Sequence, residues 1–211
     1  MIMNEKFTVI DMNNWKRSAH CEMFRNYIVP KYDIGLELDI SAFYRKVKEK
    51  NWSFTLAFIY TVAKCANEIE EFRYRFQDGG VVLYHQIHTS FTYLPKGAEL
   101  FKVVPVEMQD NIEDYIKIAL ETIDKQSSFF VRPSWPDVFH FSAVPWVSYI
   151  HVSHAYNGDK NNSAPMFDWG KFYYKQDKLI MPFSIQAHHS FVDGIHIGRF
   201  VERLQEYLNG F

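Results

Sequence analysis

Cysteine is almost missing from this 211-residue chain: Cys21 and Cys65 are the only two, and no C-x-x-C spacing joins them. Two such thiols make neither a disulfide framework nor a zinc site, which leaves a reducing, cytoplasmic setting as the expectation. No apolar run approaches about 18 residues, and the amino terminus lacks the basic start and apolar stretch of a signal peptide, so neither export nor membrane spanning is expected. Excess positive charge is lacking too. The formal charge is -2, with acids and bases interleaved, and no basic stripe offers itself to phosphates, which makes nucleic acid a poor partner. There is no internal repeat, no low-complexity tract and no Pro/Gly/Ser-rich linker, so residues 1–211 read as a single domain. No serine nucleophile elbow, phosphate-binding glycine loop or metal-ligand cluster is visible.

What is abundant is apolar and aromatic material, 47% and 18% of the chain, with 19 Phe and 13 Tyr. That is enough for a core and for a flat apolar pocket. Periodicity and turn chemistry predict a short strand at 7–11 and a helix at 14–26 capped by Asn13 or Asn14. A half-buried strand follows at 32–40, then a helix from Asp39 and Ser41 to about 50, and a more apolar helix from Ser53 to about 69. Strands are predicted at 72–76, 81–84 and 87–94, the first two joined by Asp78-Gly79-Gly80 as a hairpin. After a strand at 101–106 and a helix at 112–125 come strands at 138–142 and 147–152, hairpin-like strands at 170–174 and 179–187, and a helix at 194–208. The fold class is α/β, or α+β as a two-layer sandwich: a mixed sheet covered by helices.

The chemistry is concentrated in Ser184-Ile185-Gln186-Ala187-His188-His189-Ser190-Phe191-Val192-Asp193-Gly194, two histidines at a strand tip followed by Asp-Gly at a helix start. A residue at such a tip is rigidly placed yet open to a cleft, and Gly194 eases the turn. Acyl transfer from a thioester to a hydroxyl needs a base that takes the hydroxyl proton and returns a proton to the leaving thiolate. An imidazole with a pKa near 6.5 does both at neutral pH, and a positioned general base contributes roughly 100- to 10,000-fold in rate. His189 fits that role; His188, its neighbour on the strand, points to the opposite face, which argues against shared metal ligation. Neither cysteine lies in a recognisable nucleophile setting.

His188-His189-Ser190-Phe191-Val192-Asp193-Gly194-Ile195-His196, preceded by Met181-Pro182-Phe183, closely resembles the active-site signature of the chloramphenicol acetyltransferase family. Asn14-Trp15-Lys16-Arg17, Leu38-Asp39-Ile40-Ser41, Phe141-Ser142-Ala143-Val144-Pro145-Trp146-Val147 and Gly170-Lys171-Phe172-Tyr173 resemble it in the same order, so the likeness runs from about residue 7 to 208. H-x-x-x-D-G is shared with dihydrolipoyl acyltransferases and peptide-synthetase condensation domains, but the length and flanking segments favour the chloramphenicol group. The resemblance implies an acetyl-CoA-dependent O-acetyltransferase acting on chloramphenicol. His189 is then the base, its ring oriented by a local hydrogen bond. Ser142 donates to the oxyanion, and Asp193 pairs with Arg17 behind the site. Trp146, Lys171 and Phe172 line the coenzyme A channel, and Phe24, Phe101 and Phe129 form the aromatic wall of the acceptor pocket. Acetyl-CoA is a co-substrate, with no tightly bound cofactor and no metal, and the assembly is a homotrimer whose sites lie between subunits. The acceptor pocket departs from the family at Asp168, where a small hydroxyl residue is usual, at Val152 and His154, where phenylalanine and leucine are usual, and at Pro30. Two other readings follow: the same mechanism on another hydroxylated acceptor, or a non-catalytic trimeric ligand-binding homologue.

Overall fold

The computed structural model describes residues 6–131 and 137–211. Among the described residues ten strands, five α-helices and one 3-10 turn follow in chain order: β1 (Phe7–Val9), α1 (Ser18–Arg25), β2 (Lys31–Asp39), α2 (Ser41–Glu49), α3 (Phe54–Asn67), a 3-10 turn (Glu70–Arg73), β3 (Tyr74–Gln77), β4 (Gly80–Tyr84), β5 (His88–Tyr93), β6 (Lys102–Val106), α4 (Ile112–Lys125), β7 (Val138–Val144), β8 (Met166–Gly170), β9 (Tyr173–Lys175), β10 (Lys178–His188) and α5 (Gly194–Asn209). Seven strands form one mixed sheet in the order β2-β10-β8-β7-β5-β6, with β9 also paired to β10; β1-β4-β3 form a small antiparallel sheet. β7 runs parallel to β5 and β8, and the remaining ladders are antiparallel.

The two faces of the large sheet differ because its strands alternate. Ile185, Phe167 and Phe141 share one register row on the helix-covered face, where they are buried. There Phe167 packs on Phe183, Phe200 and Phe72 at ring distances of 6.0, 5.4 and 6.0 Å. Each such ring withdrawn from water is worth about 1.5–3 kcal/mol. The opposite face is polar. Ser184, Asp168 and Ser142 stand side by side on β10, β8 and β7, with Gln186 and His140 one pleat further along.

Local chemistry explains the element ends. Ser53 caps α3 by accepting from Leu56 N, and Asn111 caps α4 by accepting from Asp114 N. Asp78 and Gly79 both adopt positive φ, 50° and 81°, the two-residue hairpin turn expected of Asp-Gly.

Three local expectations need correction. The first helix starts at Ser18 rather than near residue 14, because Asp11 accepts from Asn13 N and Asn14 Nδ2 and holds that stretch in a turn, so neither asparagine caps the helix. Residues 70–73 form a 3-10 turn, which delays β3 to Tyr74. The segment 147–152 is no strand at all: both edges of β7 are taken by β5 and β8, so these residues cross the polar face instead. Two glycines accommodate the crossing. A Cβ on Gly35 would meet Ile150 O at 2.6 Å, and one on Gly170 would meet Val147 O at 2.8 Å.

Candidate active site

β10 ends at His188, and the chain turns sharply before α5, with Phe191 N and Val192 N both donating to His188 O. The two histidines have separate fates. His188 is buried, accepts from Ser190 N at Nδ1 and donates from Nε2 to Lys160 O, and burial pushes its pKa down to about 4. It is a neutral structural imidazole. His189 leaves its side chain 36% exposed, enough to reach a substrate.

Its ring is held on two sides. Phe24, delivered by α1, stacks on it at 3.8 Å and 6°, and Tyr32 of β2 packs at 4.7 Å. Backbone pins it too, since His189 N donates to the carbonyl of buried Pro30 at 2.9 Å. His189 Nδ1 lies 3.0 Å from Asp193 Oδ1, although off the line of a well-formed hydrogen bond. No well-formed local hydrogen bond therefore orients the ring, contrary to the sequence expectation; aromatic packing and the nearby carboxylate do so. Nε2 is left as the nitrogen that can face a reactant.

Arg17 ties the turn together. It grips Asp193 with two bonds of 2.6 and 2.7 Å and donates to the carbonyls of Ser190 and His189 at 2.7 and 3.0 Å. These bonds hold the Asp193 carboxyl below its usual range. Ser190 Oγ in turn donates to Cys21 O, which docks α1, and with it Phe24, against the turn. Asp193 N donates to His196 Nδ1, fixing the start of α5.

The other named residues lie elsewhere. Ser142 is on β7, where Thr92 Oγ1 donates to its hydroxyl at 3.4 Å. In register it is level with Ser184 two strands away, and His188 is four residues further along β10. With strands about 4.8 Å apart and a rise of about 3.3 Å per residue, Ser142 and the His188 end are roughly 16 Å apart within one chain. Phe101 and Phe129 are half-exposed beside β6, at the sheet edge opposite β2 and four strands from β10. One chain thus unites His189, Asp193, Arg17, Phe24 and Pro30 but separates them from Ser142, Phe101 and Phe129. Exposed Trp146 lies near Lys171, whose N donates to Val147 O. Phe172 packs partly into Tyr44 and Phe54 at 5.3 and 5.8 Å, which uses much of its ring. Val152 is half-buried on the crossing segment. Buried Asp168 bonds His154 Nε2 at 2.8 Å through Oδ2.

Sequence reading missed Tyr32 and Phe130. Tyr32, whose hydroxyl donates to Val192 O, was detectable from the alternation of β2, which puts it on the inner face next to Ala187. Phe130 packs edge-on against Phe101 and extends that exposed patch. Both cysteines are buried, and burial pushes their thiols up to about 11 and about 12, the wrong direction for a nucleophile. Among the described residues no group of His, Cys, Asp and Glu is arranged to hold a metal, and no helix is long and apolar enough to cross a membrane.

The mixed sheet, with an imidazole clamped at the tip of its longest strand, fits an acyltransferase. The chain belongs to the chloramphenicol acetyltransferase family, whose family model matches residues 3–205. A chloramphenicol acetyltransferase of Escherichia coli is 32% identical over 95% of this chain and 93% of its own length. A solved chloramphenicol acetyltransferase structure superposes with a TM-score of 0.87 at 26% identity, covering 96% of this chain and 99% of the other. The fold extends to a probable dihydrolipoamide acetyltransferase from Listeria monocytogenes 4b F2365, with a TM-score of 0.64 at 14% identity over 96% and 94% of the two chains.

Proposed function

We propose that the protein transfers an acetyl group from acetyl-CoA to a hydroxyl, that chloramphenicol is an accepted substrate, and that the working unit is a cytoplasmic homotrimer of single-domain chains. The acceptor is assigned from the names of the relatives, and the mechanism from the site. His189 Nε2 takes the proton as the acceptor oxygen attacks the thioester carbonyl. The new C–O bond forms, the carbonyl oxygen gains charge, and Ser142 Oγ donates to that oxyanion. The C–S bond then breaks, and the imidazolium gives its proton to the leaving thiolate. Arg17 and Asp193 hold the turn that presents the ring. Trp146, Lys171 and Phe172 meet the coenzyme, and Phe24, Phe101, Phe129 and Val152 face the acceptor, with no tightly bound cofactor and no metal.

The observation that carries the reading is the His189 ring, fixed on Phe24 and Tyr32 with one nitrogen free and the Arg17–Asp193 pair directly behind it. The roughly 16 Å between Ser142 and the His188 end within a chain supports a site shared between copies, His189 from one and Ser142 from the next. The exposed apolar stretch Tyr27, Ile28 and Val29, next to Pro30 and the His189 turn, supplies material for such an interface.

The test is release of free coenzyme A thiol from acetyl-CoA with chloramphenicol. His189→Ala and Ser142→Ala trimers should each be nearly inactive, and co-expression of the two variants should restore turnover, because a mixed trimer has an interface with both residues intact. Failure to complement in demonstrably mixed trimers would sink the shared site. A second reading, a more polar hydroxylated acceptor, is favoured by the His154–Asp168 pair.

A further inference from the structure

The crossing segment covers part of the polar sheet face and leaves a cavity of about 390 Å³ beneath residues 153–162. That volume lies in the lower part of the roughly 300–1,000 Å³ range of small-molecule pockets. Its lining is polar: Lys31, Asp33, Gln186, His154, Asn157 and Asn162 contribute, with Tyr156 as a ring. Asp33 uses Oδ1 to accept from Gln186 Nε2. His154 uses Nε2 on Asp168, and no group among the described residues bonds its Nδ1.

Asp168 is the anchor. Its side chain is 1% exposed against 26% for His154, and its Oδ1 is buried without a hydrogen-bond partner. It also stands directly beside Ser142 in the β7–β8 register. The imidazole therefore bridges from the row that holds Ser142, one strand spacing of about 5 Å plus one hydrogen bond, into the cavity. A buried carboxylate with an open oxygen is costly unless it holds a charge or a ligand, and here it holds the ring.

We propose that His154, positioned by Asp168, determines acceptor specificity, and that the acceptor carries, besides the hydroxyl to be acylated, a neutral polyhydroxylated portion that enters this cavity. The inference rests on the acyl-transfer reading above and names its acceptor class. Basic and acidic side chains are equal in number, Lys31 and His154 against Asp33 and Asp168, so neither kind dominates the surroundings and a neutral ligand suits the cavity better than an ion. Its amides, ammonium, carboxylate and imidazole offer donors and acceptors in number, the requirement of a sugar-like ring, and Tyr156 offers an apolar face for such a ring. A purely aryl substituent would leave these groups unpaired.

The groups facing the imidazole are Asp168 from β8 and Asp33 and Lys31 from β2. The hydrogen bond to Asp168 is the largest influence and raises the His154 pKa, with Asp33 acting in the same direction and burial and Lys31 opposing. Below that pKa Nδ1–H donates to a ligand oxygen; above it Nδ1 accepts from a ligand hydroxyl. Asp168→Asn should therefore move the pH at which acceptor preference changes to lower values.

The experiment compares kcat/KM for chloramphenicol and for the 4-nitrophenyl gluco-, galacto- and mannopyranosides, with acetyl-CoA as donor and the trimeric protein. At least one glycoside should exceed chloramphenicol about 10-fold, and His154→Leu should lower the glycoside-to-chloramphenicol ratio about 10- to 100-fold, the worth of one charge-assisted hydrogen bond. The double variant His154→Leu/Asp168→Thr removes the buried carboxylate as well and serves if the single variant unfolds. Chloramphenicol preferred by the wild type, or a ratio unchanged in a folded variant, overturns the proposal. Should no acceptor turn over, the mechanism fails, and calorimetric Kd values for the same glycosides with and without His154 decide the specificity claim alone: loss of glycoside binding on His154→Leu supports it, and absence of binding to the wild type overturns it.

Discussion

Arg17→Ala is the perturbation that discriminates best between a guanidinium that supports the His189 turn and one that merely decorates it. The side chain makes four bonds, two to Asp193 and two to the carbonyls of His189 and Ser190, and is only 14% exposed. Truncation strands a carboxylate that is itself 30% exposed, together with two carbonyls. Breaking a well-buried pair costs about 3–5 kcal/mol, and access of water to Asp193 puts this one near the lower end, about 3 kcal/mol. For a chain of this size that is a Tm decrease of roughly 6–12 °C. Asp193→Ala should cost about 2 kcal/mol, because Arg17 keeps its two carbonyl partners, and the double variant about 3 kcal/mol rather than about 5, a coupling of about 2 kcal/mol. Activity supplies the second axis. Displacing the His189 carbonyl moves the ring, and a shift of about 1 Å costs on the order of 100-fold in kcat, with KM for acetyl-CoA little changed. Denaturant unfolding and thiol release on the same preparations measure both. Additive single variants, or a destabilised Arg17→Ala that keeps wild-type kcat, would refute the reasoning.

Acid should weaken the fold through His188. Unfolded, it takes up a proton below about pH 6.5, whereas folded it resists until about 4, so stability falls as pH drops between those values, by at most about 3 kcal/mol from this group. Urea midpoints at pH 7 and pH 5 should converge in His188→Asn. The Arg17–Asp193 pair behaves differently: the Asp193 pKa is depressed, so its contribution is complete above the ordinary carboxylate pKa of about 3.9 and is lost as pH falls through the lower folded value, and Arg17→Ala should lack that acid limb. Gly35→Ala drives a methyl to within 2.6 Å of Ile150 O and should cost about 1–3 kcal/mol in thermal unfolding, with more effect on acceptor than on acetyl-CoA kinetics. Gly79→Ala, at φ 81° in an open turn, should cost only about 1 kcal/mol and leave turnover unchanged.

Elements whose signals are local were readable from sequence. The α4 limits, the Ser53 cap and the Asp78-Gly79 turn depend on side chains within a few residues of one another. The segment 147–152 was misread for the converse reason. Its valine, tyrosine and isoleucine suit a strand, but whether a strand forms depends on a free sheet edge, and β5 and β8 had already taken those of β7. The signal lay in other segments: Gly35 and Gly170 interrupt runs that otherwise read as strands, which marks close approach of another backbone.

The site divides along the same line. His189, Asp193 and Gly194 are neighbours in sequence, and their geometry follows from one strand-to-helix turn. Arg17, more than 170 residues away, and Ser142, on a strand between β5 and β8, have no sequence spacing that links them to His189; the family likeness singled them out. Within one chain Arg17 reaches the turn and Ser142 does not, and sheet geometry makes that difference unavoidable. β8 lies between β7 and β10, and four residues of β10 separate the level of Ser142 from the turn. A side-chain rotation cannot cover about 16 Å. If both residues act on one acyl group, the second must come from another copy. Association of copies, proposed above as a trimer, is then part of the catalytic geometry, and dilution that separates the copies should abolish turnover while each chain keeps its helix and sheet content.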